Sequence, residues 1–291
     1  MPTPLELIES VSLAKASGEA RVDIWPVSQF VAPLREDLLA VEEPLAIRLI
    51  FGPVENRTEK ALAITMRTPG NDRELAAGFL FSEGIVSEAG QIEKIHACGT
   101  EEGRNIVRVE IHPDHAIELG QLDRNFYTSS SCGVCGKTSI DALPLRPPLE
   151  RDLPRISPAL IHQLPARLRD AQPTFDRTGG LHAAALFDAA GKLLSIREDV
   201  GRHNALDKLI GNELLQHRLP LSEHILLVSG RASFELVQKA LAAGIPVMAA
   251  VGAPSSLAVE LARRFEMTLL GFVRDGRFNI YSGEHRIVGV A

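Results

Sequence analysis

Cysteine is scarce in this chain: three in 291 residues, an odd number. That leaves no material for a disulfide scaffold and points to a reducing compartment, the cytoplasm. Basic charge is not in excess either. Lys and Arg total 31 against 37 Asp and Glu, a formal net charge of −6. That balance argues against a general nucleic-acid coat and for an ordinary acidic surface. No apolar run approaches the roughly 20 residues that span a bilayer. The opening MPTPLELIESVSLAKASGEA has early Glu residues where a secretory signal has a basic segment and an apolar block. Neither membrane nor nucleic acid is therefore expected as a partner. Internal repeats and low-complexity segments are missing too.

What the chain does have is apolar content, 45% hydrophobic against 23% charged, enough for a substantial core and, at this length, for two domains. Residues 1–20 read as a flexible tail. Residues 21–143 read as an α+β domain, opening with an edge strand through Val22, Ile24 and Val27 that Pro26 interrupts. Strands are predicted at 44–51 and 60–68, joined by a turn around Glu55-Asn56-Arg57, and again at 91–98 and 106–112. Between these pairs, Asn71 and Glu74 form a capping-box start for a helix with Leu75, Phe79 and Leu80 on one face, closed by Gly84. Pro144, Pro147, Pro148 and Pro154 mark a semi-rigid linker over 144–156, with Pro158 just beyond it.

Residues 157–291 read as an α/β domain. Ser157-Pro158 starts a helix that Pro165 should kink or divide. A hairpin follows, 181–188 and 192–199 around Ala189-Ala190-Gly191, then a helix striped with Ala205, Leu206, Leu209, Ile210 and Leu214. The apolar strands HILLVSG and IPVMAAVG alternate with two more helices before TLLGFVRD and FNIYSG. Such alternation predicts a buried, largely parallel sheet.

The stretch SSSCGVCGK holds Cys132 and Cys135, with Gly133 and Gly136 keeping the backbone bare and Lys137 beside them. A neighbouring cation and a CxxC spacing both favour a reactive thiolate. Three readings fit these residues: thiol or persulfide chemistry, soft-metal ligation, and two inert thiols in a glycine turn. Cys98, at the end of a predicted strand, reads as a buried structural thiol.

Ligands of open α/β sheets sit outside the carboxyl ends of the strands. Two such ends share one design here. Ser229-Gly230-Arg231-Ala232-Ser233 leads into one helix, and Gly252-Ala253-Pro254-Ser255-Ser256 into the next. Ordinary N-capping by Ser233 and Ser255 accounts for the serines. Arg231 adds a planar guanidinium matched to phosphate, and Arg274 and Arg277 flank Gly276 at another strand end. Together they suggest a phosphorylated or dinucleotide ligand. His182 and His203 lie on glycine-flanked turns, positions as compatible with structural histidines as with functional ones.

The strings MRTPGNDRELAAGFLFSEGI, SSCGVCGK, TGGLHAAAL, REDVGRHNALDKLIG, SGRASFELVQKALAAGIPVMAAVGAPSSLAVELA and GFVRDGRFNIYSG, in order between about residues 40 and 283, resemble the FdhD family of sulfur carriers needed for formate dehydrogenase activity. The resemblance implies a sulfurtransferase. A cysteine desulfurase passes persulfide sulfur to Cys132, with Cys135 as second thiol. The carrier then delivers it to the molybdenum or tungsten of a bis-guanine-dinucleotide pterin cofactor destined for formate dehydrogenase. The family's cofactor contact maps onto Phe272, Val273, Arg274, Asp275, Gly276 and Arg277, and GDP is the expected analogue. The fold implied for the second half is the three-layer cytidine-deaminase type. A homodimer is expected, and no resident metal. The alternative is a zinc-binding deaminase-like or metal-stabilised module. Deaminases need H-x-E and a downstream P-C-x-x-C. Here His182 is followed by Ala183-Ala184, and no cysteine follows Cys135. A zinc-stabilised module would draw on Cys132, Cys135 and two histidines.

Overall fold

The computed structural model describes residues 13–14, 18–28, 32–98, 105–117 and 154–290. Cys132, Cys135 and most of the expected linker lie outside the described residues. Strands β1 (Leu13–Ala14), β2 (Glu19–Ile24) and β3 (Arg35–Ala40) form a small antiparallel sheet in that order. The expected tail is thus partly sheet: Ala20 is buried opposite Leu39, and backbone pairing holds the strand where side-chain periodicity gave little sign of one.

A second sheet has the order β5-β4-β7-β6, from β4 (Glu43–Phe51), β5 (Thr58–Arg67), β6 (Ile92–Cys98) and β7 (Ile106–Ile111). Leu45, Ile47, Leu49 and Phe51 alternate into the core. The opposite face carries charge, with Glu59 accepting from Arg48 at 3.0 Å and Arg108 at 3.1 Å. Helix α1 (Asp72–Ser82) covers the apolar face, burying Leu75, Phe79 and Leu80 as predicted. Its predicted capping box does not form. Asn71 enters in the left-handed region at φ 58 with its side chain capping nothing, and Glu74 is taken by Arg197, whose Nη2 lies 3.0 Å from Oε1.

In the second half, Ser157 caps α2 (Pro158–Asp170), its Oγ accepting from Leu160 N at 3.3 Å. Pro165 does not divide this helix. The buried stripe Ile161, Leu164 and Leu168 holds both sides of it to the sheet and offsets the backbone bond that proline forfeits. After α3 (Pro173–Thr178) come β8 (His182–Phe187), β9 (Leu193–Asp199), α4 (Arg202–Leu215), β10 (Ile225–Val228), α5 (Phe234–Ala242), β11 (Val247–Ala250), α6 (Ser256–Arg264), β12 (Thr268–Arg274) and β13 (Arg277–Ser282).

The six strands order as β13-β12-β11-β10-β8-β9. Only β10, β11 and β12 run parallel; β8 meets β9 and β10 antiparallel, and β13 meets β12 antiparallel. The sheet is therefore mixed rather than largely parallel. Both flanks are hairpins, and short turns join only antiparallel neighbours. Along β8, Ala183, Ala185 and Phe187 face α2, while Ala184 and Leu186 join the core of the helices on the other side. Helix, sheet and helices make three layers, and the fold is mixed α/β.

The same core continues into α1 and the four-stranded sheet, because α1 and α4 cross at glycines. A Cβ on Gly78 would stand 1.8 Å from the Asp207 carbonyl oxygen, and one on Gly211 would stand 1.9 Å from that of Glu74. Two buried ion pairs flank this crossing. Lys239 Nζ lies 2.7 Å from Asp207 Oδ1, which also accepts from Ser82 Oγ at 2.8 Å. Lys208 Nζ lies 2.7 Å from Asp199 Oδ2 and donates to Thr68 O at 2.8 Å. Among the described residues no helix is long and apolar enough to cross a membrane.

Candidate functional site

At the carboxyl ends of β10 and β11 the loops to α5 and α6 lie against one another. Gly252 N donates to Gly230 O at 3.0 Å, Ala232 N to Ala253 O at 3.2 Å, and Ser255 N to Ala232 O at 3.0 Å. Contact this close leaves no room for a side chain: a Cβ on Gly252 would stand 3.0 Å from Gly230 O and 3.1 Å from Arg231 Cα. Because β8 runs antiparallel to β10, its first residue, His182, arrives at the same edge. Ser229 secures that arrival, its Oγ accepting from Ala183 N at 2.9 Å. The start of α4 arrives there as well, since β9 pairs with β8 and ends beside His182 at Asp199.

These elements enclose a cavity of about 340 Å³. Gly230, Arg231, Gly252 and Arg274 line it, four positions expected from the sequence. Among the described residues His182, Arg202, Ser229 and Val251 complete the lining, so three arginines and a histidine face it without a carboxylate. Among the described residues, Arg202 Nε is buried with no hydrogen-bond partner. Burial, then the positive charge of Arg202 and His203, pulls the His182 imidazole below its ordinary pKa, against the opposing pull of Asp199. Arginine therefore gives the cavity positive charge, while its histidine is pushed toward the neutral form.

Other expected positions fall elsewhere. Phe272 is held at φ 54 beside a bulge between Gly271 and Arg274, with its N–H donating to Gly252 O at 3.0 Å. The Arg274 guanidinium lies 5.9 Å from the centre of the Phe272 ring and 3.9 Å from Asp275, so the phenyl ring backs a cation at the cavity mouth. Val273 points into the core and is fully buried. Asp275 and Gly276, with φ 54 and 67, form the two-residue tip between β12 and β13. Such a tip needs positive φ at both residues, which gives Gly276 a turn role, and the space where its Cβ would lie is open. Arg277 is exposed opposite Arg274 and does not line the cavity.

Ser255 caps α6, accepting from Ala258 N at 3.2 Å, but Ser233 does not cap α5. Its Oγ sits 3.3 Å from His203 Nε2, with Glu235 Oε2 3.8 Å from the same nitrogen. Both neighbours address one ring nitrogen, so the trio lacks the two-ended geometry of a nucleophile–base–carboxylate relay. The contact acts on the acid: hydrogen bonding from His203, with Ser233 assisting, holds the Glu235 carboxyl down at about 2. Cys132 and Cys135 lie outside the described residues, and Cys98 closes β6. Among the described residues no three His, Cys, Asp or Glu side chains gather as a metal site.

Arg202 was not predicted as a site residue. Its sequence signal, Gly201-Arg202 directly after a strand, becomes informative only once β9 is known to share an edge with β10 through β8.

A sulfur carrier protein FdhD of Streptomyces avermitilis is 55% identical over 261 residues, covering 87% of this chain and 90% of that relative. The sulfur carrier protein FdhD of Mycolicibacterium paratuberculosis is 50% identical over 94% of this chain and 99% of its own length. An archaeal counterpart from Saccharolobus solfataricus is 42% identical over 92% of this chain and 97% of its length. The crystal structure of a candidate formate dehydrogenase accessory protein from Desulfotalea psychrophila matches with a TM-score of 0.71 at 25% identity, covering 93% of this chain and 99% of that one. The model of the FdhD/NarQ family matches residues 40–288, and the chain belongs to that family.

Proposed function

We propose that this chain is a sulfur carrier serving formate dehydrogenase, with Cys132 as the persulfide site and the cationic cavity as the dock for the cofactor that receives the sulfur. The observation that supports this reading is the cavity itself: among the described residues its lining holds three arginines and no carboxylate, on a chain whose relatives are sulfur carriers. In loading, the Cys132 thiolate attacks the outer sulfur of a cysteine desulfurase persulfide. A new S–S bond forms as the old one breaks, and the desulfurase cysteine departs as thiolate, with no net oxidation. Lys137 favours the thiolate, and Gly133 and Gly136 clear the approach of a large partner. Cys135 is the second thiol.

The outer sulfur then passes to the molybdenum or tungsten of a bis-guanine-dinucleotide pterin cofactor, the substrate of this carrier. The S–S bond breaks, Cys132 departs as thiolate, and the two electrons that bring the sulfur to the sulfide level come from the reduced metal of that substrate. Arg231 presents a planar fork suited to the cofactor's phosphates, and Arg274, backed by Phe272, adds charge at the mouth. The site of action is the cytoplasm, and the assembly a homodimer.

Mass spectrometry after incubation with a cysteine desulfurase and cysteine tests the reading. One added sulfur on the peptide containing Cys132, lost in Cys132→Ala together with activation of formate dehydrogenase, is the expected result. Normal activation by Cys132→Ala would overturn it.

A further inference from the structure

The cavity holds two groups that the sulfur-carrier reading leaves without work, Arg202 and His182. Arg202 follows a tightly built turn: Gly201 N donates to Asp199 Oδ1 at 2.8 Å, and Asn204 Nδ2 reaches the same oxygen at 3.1 Å and Met66 O at 2.7 Å. This brace fixes the backbone that carries Arg202, yet its buried Nε finds no acceptor among the described residues. A buried guanidinium N–H left open costs stability unless a ligand completes it. His182 lies beside it across Gly230: a Cβ there would stand 3.4 Å from His182 Nδ1 and 3.9 Å from Arg202 Cδ, so glycine leaves the space between the two side chains open.

We propose that Arg202 and His182 form an oxyanion clamp that binds a phosphate group of the cavity's ligand together with one proton, taken up by His182. The proposal rests on the cavity being the cofactor dock. The groups facing His182 are Arg202 and His203 from the start of α4, Arg231 and Arg274 from the strand-end loops, and Asp199 across the β8–β9 pair. Asp199, the one acid among them, is committed to Lys208, Gly201 and Asn204. Burial first, and then the cations on its open side, weaken the ring's hold on a proton in the free protein. A phosphate seated between Arg202 and His182 reverses that field and favours the imidazolium, which then donates to it. The binding balance is protein plus anion plus one proton giving the protonated complex. Affinity therefore rises as pH falls through the imidazole pKa of the complex, and levels off below that of the free protein.

Calorimetry of GDP and of inorganic pyrophosphate, in buffers of differing ionisation enthalpy between about pH 6 and 8 where an imidazole titrates, reads the proton directly. Wild type is expected to take up close to one proton per ligand at the lower end. His182→Gln should bind more weakly with no uptake, and Arg202→Gln should lose roughly tenfold or more in affinity. NMR titration of His182 with and without pyrophosphate guards against misfolded variants, its pKa rising when ligand is present. Unchanged uptake in His182→Gln, unchanged affinity in Arg202→Gln, or a His182 pKa indifferent to pyrophosphate would each overturn the clamp. If those variants behave as wild type while Arg231→Ala loses GDP, the cavity survives and the clamp alone falls. Failure of folded wild type to bind either ligand removes both.

Discussion

Two sets of cations in the second half of this molecule are treated differently. Lys208 and Lys239 are buried and each is matched to an aspartate, Asp199 and Asp207, at 2.7 Å. Both pairs are completed by hydrogen bonds, from Ser82 to Asp207 and from Lys208 to Thr68 O. Arg202, Arg231 and Arg274 instead gather around a cavity whose lining includes no acid. The comparison teaches how to separate structural charge from functional charge. In the first set the counter-ion is built into the core; in the second only Arg274 has an acid beside it, Asp275 at 3.9 Å, and among the described residues the lining itself carries none.

Breaking a built-in pair should have the largest effect on stability. Asp207→Ala strands Lys239 in the core at a cost of about 3–5 kcal/mol, read as a lower urea midpoint. A cost near that of an ordinary surface change, within about 0.5 kcal/mol, would erase the distinction drawn between the two sets. A half-exposed pair sharpens it from the acid side. Glu235 has its pKa lowered from 4.5 to about 2 by His203, so the carboxylate's contribution is present above pH 4.5 and is lost as pH falls towards 2. Thermal unfolding should show that loss in wild type, and Glu235→Gln should remove it. An identical acid profile in the two proteins would discount the pair. The smallest effect is expected at Arg277, which stands outside the cavity. Arg277→Ala should change GDP affinity by less than Arg231→Ala does, and an equal loss by calorimetry would extend the site to the hairpin tip.

The β/α alternation of the second half was legible because its strands are runs such as ILLV and VMAA, fully buried between helix layers. The antiparallel flanks were not, since apolar strands look alike in either direction and the pairing of β8 with β10 depends on residues some 40 apart. Arg231 and Gly252 could be picked out because each directly follows a strand in the sheet centre. Arg202 reaches the same cavity only through the β9–β8–β10 order, which no local pattern states. The glycine crossing of α1 and α4 was silent for the same reason. Gly78 and Gly211 each look like a weak point in a helix until they are seen to meet. At Asn71, local pattern misled: a cap signal was present, but the left-handed turn after Pro69-Gly70 and the reach of Arg197 to Glu74 prevailed.

The most direct test of the cavity cations is calorimetry of GDP on wild type and on the Arg231→Ala, Arg274→Ala double variant. Each charge-assisted hydrogen bond contributes roughly 1.5–3 kcal/mol, so losing both should weaken GDP binding about a hundredfold or more, with the urea midpoint unchanged. Equal affinity in the two proteins would contradict the assignment of this cavity as the cofactor dock.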